Sequence, residues 1–238
     1  MKAWLEQKFL LTAAGTTIKR EVVAGLTTFL AMAYITVVNP DILSDAGMDF
    51  GAVFVATCLT AAIGTLIMGV VANYPVAMAP GMGQNAFFAY TVVLGMGHSW
   101  QEALGAVFIA GLLFIALSLL PVREWLINSI PRSLKLGISA GIGFFLGLIA
   151  FANGGIVIGD PATLVGFGDF LAPPALLMMA GFILIAALTA RNIMGAVVIG
   201  MLVVTVIGWF TGIAGFTGVM SAPPSLAPVF LQLEIGNL

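Results

Sequence analysis

The side chains that could do chemistry are few, and they gather between Tyr74 and Tyr90, in YPVAMAPGMGQNAFFAY. Gln84 and Asn85 carry amides, which both donate and accept hydrogen bonds. Just before them stand Pro75, Pro80, Gly81 and Gly83, which disfavour a continuous helix. Proline lacks an N–H and clashes with the preceding turn. Glycine lets the backbone come close to a ligand. The stretch lies inside the uncharged run 50–101, long enough to cross a bilayer twice. Irregular backbone at membrane depth needs cover from protein or a water-filled cavity. The expected arrangement is extended chain over Val76–Pro80, covering ~16 Å, then helix from Gln84 to Gly97, covering ~21 Å. The break would then fall near the middle of the ~30 Å hydrocarbon core. Half-helices that start at the midplane form the substrate sites of many secondary transporters, and their first N–H groups are free donors.

Other chemistries find little support. Cys58 is the single cysteine and reads as a small buried hydrophobe. His98, the single histidine, reads as a loop residue beside Ser99 and Trp100. No metal-ligand set or nucleophile–base pair is visible, so an enzyme is not expected, and no cofactor is implied. Gly81-Met82-Gly83 lacks the third glycine and the βαβ context of a dinucleotide fingerprint. Basic residues are too few and scattered for nucleic-acid binding. Thr27 and Thr28 sit early in an apolar run, where threonine hydroxyls usually bond back to their own helix. For Gln84 and Asn85 the plainer reading is hydrogen bonding between packed helices.

The elements that must position these residues follow from composition. The chain has 238 residues, 61% hydrophobic and 8% charged, with a mean hydropathy of +1.16. This is an all-α polytopic membrane protein surrounded by lipid; the long runs do not alternate as barrel strands do. The apolar runs give seven spans: 22–38, 51–72, 76–97, 101–120, 134–153, 173–190 and 193–213. Asn39-Pro40, Pro121, Pro131 and Pro173-Pro174 mark span ends. Residues 1–20 read as a cytoplasmic amphipathic segment, 21–213 as the membrane domain, and 214–238 as an external Pro-rich tail. Asn153–Phe170 reads as an external loop. Gly137, Gly141, Gly143 and Gly147 give the fifth run a small-residue face for close packing.

Charge placement sets the orientation. Lys2, Lys8, Lys19, Arg20, Arg123, Arg132, Lys135 and Arg191 all fall on one side of the seven-span layout. By the positive-inside rule that side is cytoplasmic. The N-terminus is then inside and the C-terminus outside, in a plasma (inner) membrane. No Asp, Glu, Lys or Arg lies in the interior of any run, although such groups usually carry coupling protons or ions.

Two of these stretches, EVVAGLTTFLAMAYITVVNP (Glu21–Pro40) and APGMGQNAFFAY (Ala79–Tyr90), resemble the AzgA-like purine permeases of the nucleobase:cation symporter-2 superfamily. Ile130–Val157, Asp160–Gly168, Met194–Leu202 and Pro223–Ile235 are similar as well. Gln84 departs from the family, which more often has an apolar residue there. The resemblance implies two inverted seven-span repeats with core and gate domains, of which this chain looks like the first. The acidic residues for substrate and proton would then lie in the missing second repeat. It implies proton symport of hypoxanthine, guanine or adenine, with Asn85 contacting the purine, Gly83 and the backbone near Ala86 lining the site beside Gln84, and Thr28 as a weaker contributor. A homodimer is compatible with it. Two alternatives stand beside this reading. One is an inactive remnant or an assembly partner of a separate second half. The other is an anion permease of the same fold, which would favour a basic residue near the break.

Overall fold

The computed structural model describes residues 2–120, 128–161, 163–193, 195–215, 218 and 222–236. Pro121, Arg123 and Met194, which the sequence reading uses, lie outside them. The chain begins with α1 (Lys2–Phe9), α2 (Ile18–Met32) and α3 (Ile35–Asp45). Next come α4 (Phe50–Leu66), which continues as a π-helical turn over Ile67–Val71, and α5 (Met82–Ala86), which continues as π-helix over Phe87–Gly95. Then follow α6 (Trp100–Ser118), α7 (Arg132–Asn153), the strands β1 (Val157–Asp160) and β2 (Leu164–Phe167), α8 (Pro173–Ala190) and α9 (Ala196–Phe210). Among the described residues, five helical stretches are long and apolar enough to cross a membrane: Ile18–Asp45, Phe50–Val71, Trp100–Ser118, Arg132–Asn153 and Pro173–Ala190. Ala196–Phe210 is apolar but shorter.

Helix starts follow their sequence cues. Asp49 caps α4 by accepting the Ala52 N–H at 2.7 Å. Ser99 and Glu102 form a reciprocal capping box on α6, each bond 3.2 Å long, which satisfies two of the N–H groups a helix start leaves free. α8 begins on Pro173-Pro174, where the missing N–H costs nothing.

Two expectations are corrected. Asn39-Pro40 does not end a helix; both residues lie inside α3 and are buried. The helical ladder breaks earlier, at Ala33-Tyr34, six residues before the proline and beyond the Thr36 carbonyl that its ring faces. Thr36 compensates there by donating its hydroxyl to the Ala33 carbonyl at 2.7 Å. The stretch 153–170 is not plain loop, and the chain is not wholly α. β1 and β2 pair antiparallel, with Val157 opposite Phe167 and Asp160 opposite Leu164. Val157, Ile158 and Val165 favour extended backbone. Asp160-Pro161 opens the connection, with the Asp160 carboxylate accepting the Thr163 N–H at 2.8 Å. Cys58 is half-buried rather than buried.

Two compact units divide the chain. The first comprises Met1–Gly97, Ile185–Leu202 and Gly218–Leu231; the second comprises His98–Leu184, Val203–Thr217 and Gln232–Leu238. The core of the first unit lies where α3, α4 and α5 meet. Ile35, Asn39, Pro40 and Ile42 from α3 are buried there, as are Ala52, Val53 and Thr57 from α4. Met82 and Ala86 of α5 and Phe88 and Ala89 of its π continuation complete it. In the second unit α7 has no buried residue, and Phe144 is 81% exposed. Apolar surface of that kind suits lipid or another protein surface rather than water.

Candidate functional site

Between α4 and α5 the chain carries no helix from Asn73 to Gly81. Gly81 is extended, with φ −80° and ψ 104°, and its carbonyl accepts the N–H groups of Gln84 and Asn85 at 3.0 and 3.1 Å. No side chain caps α5. The N–H groups of Met82 and Gly83 have no hydrogen-bond partner among the described residues. They are free donors at a helix start, which also carries the positive end of the helix dipole.

The non-helical stretch is held from α4. The Met78 N–H donates to the Thr65 hydroxyl at 2.9 Å, and that hydroxyl lies 3.4 Å from the Met78 carbonyl. Thr65 thus stands in for the absent helix ladder at Met78. Gly64 lets the two segments approach, since a Cβ there would lie 3.1 Å from Met78 Cβ.

The expected site residues fall as follows. Gly83 is half-buried in the first turn of α5, and Ala86 is buried one turn on. Gln84 is exposed and folds back over Gly81, where a Cβ would meet Gln84 Oε1 at 3.1 Å. Asn85 is half-buried, and its amide N–H donates to Asn39 Oδ1 on α3. Asn39 is itself 3% exposed, and its Nδ2 donates to Thr57 Oγ1 on α4 at 2.7 Å. The Thr57 hydroxyl donates in turn to the Val53 carbonyl at 2.7 Å. Thr28 stands apart on α2, exposed, with its hydroxyl on the Ala24 carbonyl at 3.0 Å. Thr27 bonds back likewise, to the Val23 carbonyl at 2.8 Å.

Asn39 and Thr57 are the residues that sequence reasoning missed. A cue was available: an asparagine inside an apolar run needs a hydrogen-bond partner once buried, and reading Asn39 as a helix end removed that question. A further tie joins the same elements, for the Tyr90 hydroxyl donates to Asp45 Oδ2 at 2.6 Å. Asn39, Thr57 and Gly83–Ala86 include no charged side chain. Their chemistry is that of neutral donors and acceptors, suited to a neutral polar ligand with hydrogen-bonding edges. A separate cavity of about 570 Å³ lies beside the N-terminal segment, lined by Phe9, Leu11, Ile18, Val22, Tyr74 and Pro75 among others. None of the candidate site residues lines it.

Comparison with known proteins adds a family. The Xan_ur_permease model, described as a permease family, matches residues 19–237. The adenine permease AdeP of Escherichia coli (strain K12) is 48% identical over 233 residues, covering 98% of this chain and 52% of the relative. AdeQ, an adenine permease of the same organism, is 44% identical over 98% of this chain and 52% of its own length. The guanine/hypoxanthine permease PbuO of Bacillus subtilis (strain 168) is 46% identical over 218 residues, covering 90% of this chain and 50% of the relative. The chain thus spans about half the length of the curated relatives it matches, corresponding to their N-terminal half.

Proposed function

This chain belongs to the permease family, and from that membership we propose that it forms the first seven-span repeat of a proton-coupled purine nucleobase transporter. The relatives are named for adenine, guanine and hypoxanthine, which supports a purine as substrate. The spans are α2 with α3, α4 with its π turn, Asn73–Gly95, and α6 to α9 in order, with the N-terminus cytoplasmic and the C-terminus outside. The third span is the broken one. Its extended part and its half-helix meet near the bilayer midplane.

The observation that carries the reading is the helix start at Met82. It joins free backbone N–H groups to the Asn85 amide, which other helices hold in place. A purine presents donor and acceptor atoms side by side along its edges, and an amide side chain can meet such a pair. Gly83 has no side chain to crowd a flat ring next to the backbone, and Gln84 lies beside it, folded back over Gly81. Proton symport needs a titratable group that changes state as the site alternates. The interiors of the seven runs hold no Asp, Glu, Lys or Arg. That group therefore belongs to a complementary repeat, against which this one moves.

The test is uptake of radiolabelled hypoxanthine, guanine and adenine in cells lacking their own purine permeases. Residues 1–238 alone give none. Joined to the C-terminal half of a relative such as AdeP, they give uptake that collapses with the proton gradient. Robust gradient-driven uptake by the isolated chain in a single orientation would refute the division of labour proposed here.

A further inference from the structure

From the direction of the hydrogen bonds running between Val53 and Asn85, we infer that Asn39 and Thr57 are positioning residues for the Asn85 amide. They turn its carbonyl oxygen toward the ligand, so that the site selects purines with an N–H donor on the bound edge. This rests on the purine site proposed above and adds a source of selectivity to it.

The direction follows from counting protons. A threonine hydroxyl has one proton, and Thr57 gives it to the Val53 carbonyl at 2.7 Å. Its oxygen can then only accept from Asn39, which places the NH2 group of Asn39 toward Thr57 at 2.7 Å. The Asn39 carbonyl oxygen must therefore face Asn85, where it can only accept, so Asn85 presents its NH2 group to Asn39. The Asn85 carbonyl oxygen is left pointing away from that contact. It has no hydrogen-bond partner among the described residues and is not fully enclosed. Reversing the Asn85 amide alone would set two carbonyl oxygens against each other, and reversing Asn39 alone would set its NH2 group against that of Asn85. Reversing both would keep their mutual bond but turn the Asn39 carbonyl oxygen onto Thr57 Oγ1, whose one proton is held by the Val53 carbonyl. The backbone carbonyl of Val53 thus fixes, through two side chains, which face of Asn85 a ligand meets. Asn85 then offers an acceptor and its second N–H as a donor, the complement of an edge that sets an N–H beside an acceptor. Adenine and hypoxanthine both possess such edges.

The first measurement is made in the permease assembled from this chain and the C-terminal half of a relative. Parent purines are compared as competitors with analogues that lack one donor: adenine with unsubstituted purine and with 9-methyladenine, and hypoxanthine with 1-methylhypoxanthine. At least one pair should differ roughly tenfold to a hundredfold, the effect of one buried hydrogen bond. Thr57→Val should shrink that ratio at least about threefold, while Thr57→Ser, which keeps the hydroxyl, preserves it. In an Asn39→Ala background Thr57→Val should change the ratio no further. If Asn85→Ala leaves purine affinity intact, the site assignment itself fails. If Asn85→Ala weakens binding but Thr57→Val leaves the analogue ratio unchanged, only the positioning role fails.

The second measurement needs no transport. In the 238-residue chain in lipid nanodiscs, the side-chain amide resonances of 15N-labelled asparagine should show Asn85 shifting on Thr57→Val, two links away, and keeping its position on Thr57→Ser. An Asn85 amide indifferent to Thr57→Val would overturn the inference whatever the uptake result.

Discussion

Thr65→Val is the substitution that isolates how the unwound stretch is held. Valine keeps the shape of threonine and removes only the hydroxyl, so packing against α4 is preserved. What is lost is the 2.9 Å bond from the Met78 N–H, together with the weaker 3.4 Å approach to the Met78 carbonyl. The first has good geometry and the second is at the edge of a bond. The loss therefore amounts to one hydrogen bond, about 1 to 1.5 kcal/mol on the usual scale, close to the values measured between membrane helices. If the freed N–H faced hydrocarbon with no replacement, several kcal/mol would be lost instead. Local opening at Met78 should thus become about tenfold more frequent, since ~1.4 kcal/mol is a factor of ten. The assay is backbone amide exchange at Met78 in nanodiscs, where opening controls exchange. Thr65→Val should speed it about tenfold and Thr65→Ser should restore it. Gly64→Ala should disturb the same residue by a different route, because its new methyl would sit 3.1 Å from Met78 Cβ. An unchanged Met78 exchange rate in Thr65→Val, with the same global stability, would show that the stretch is held by something other than this side chain.

Two further predictions use the same structure. Asn85→Ala in the assembled permease should raise the half-saturating purine concentration tenfold to a hundredfold, the loss of one buried hydrogen bond, with membrane abundance unchanged; saturation of uptake measures it. Ser99→Ala should remove the capping box of α6 and lower the stability of the chain by ~1 kcal/mol, visible as a lower unfolding midpoint in detergent, while purine selectivity stays as it was because Ser99 lies outside the site.

Much of this protein is written in its sequence, because membrane insertion is decided by local composition. Each of the apolar runs is helical over most of its length in the structure, since a buried backbone without water must bond within its own segment. The loss of helix before Gln84 follows equally from local chemistry: Pro75 and Pro80 remove donors, and Gly81 takes up extended backbone before α5 begins. Ser99 with Glu102, and Asp49, prove in the structure to cap α6 and α4, a local signal that sequence reasoning did not use. What the sequence could not supply was partnership across the chain. Asn39 lies 46 residues from Asn85 and 18 from Thr57, and local pattern made it a helix terminus beside Pro40. In the structure Asn39 and Pro40 are buried inside α3, and the break lies earlier, at Ala33-Tyr34. Thr65 likewise reads as one more threonine in an apolar run until the chain returns 13 residues later to place Met78 beside it. Apolar runs fix which segments leave water, a property of each segment alone. Which polar groups meet once water is gone depends on the packing of α3, α4 and α5, and only that packing turned the Asn85 amide from a pair of unassigned donors and acceptors into an oriented one.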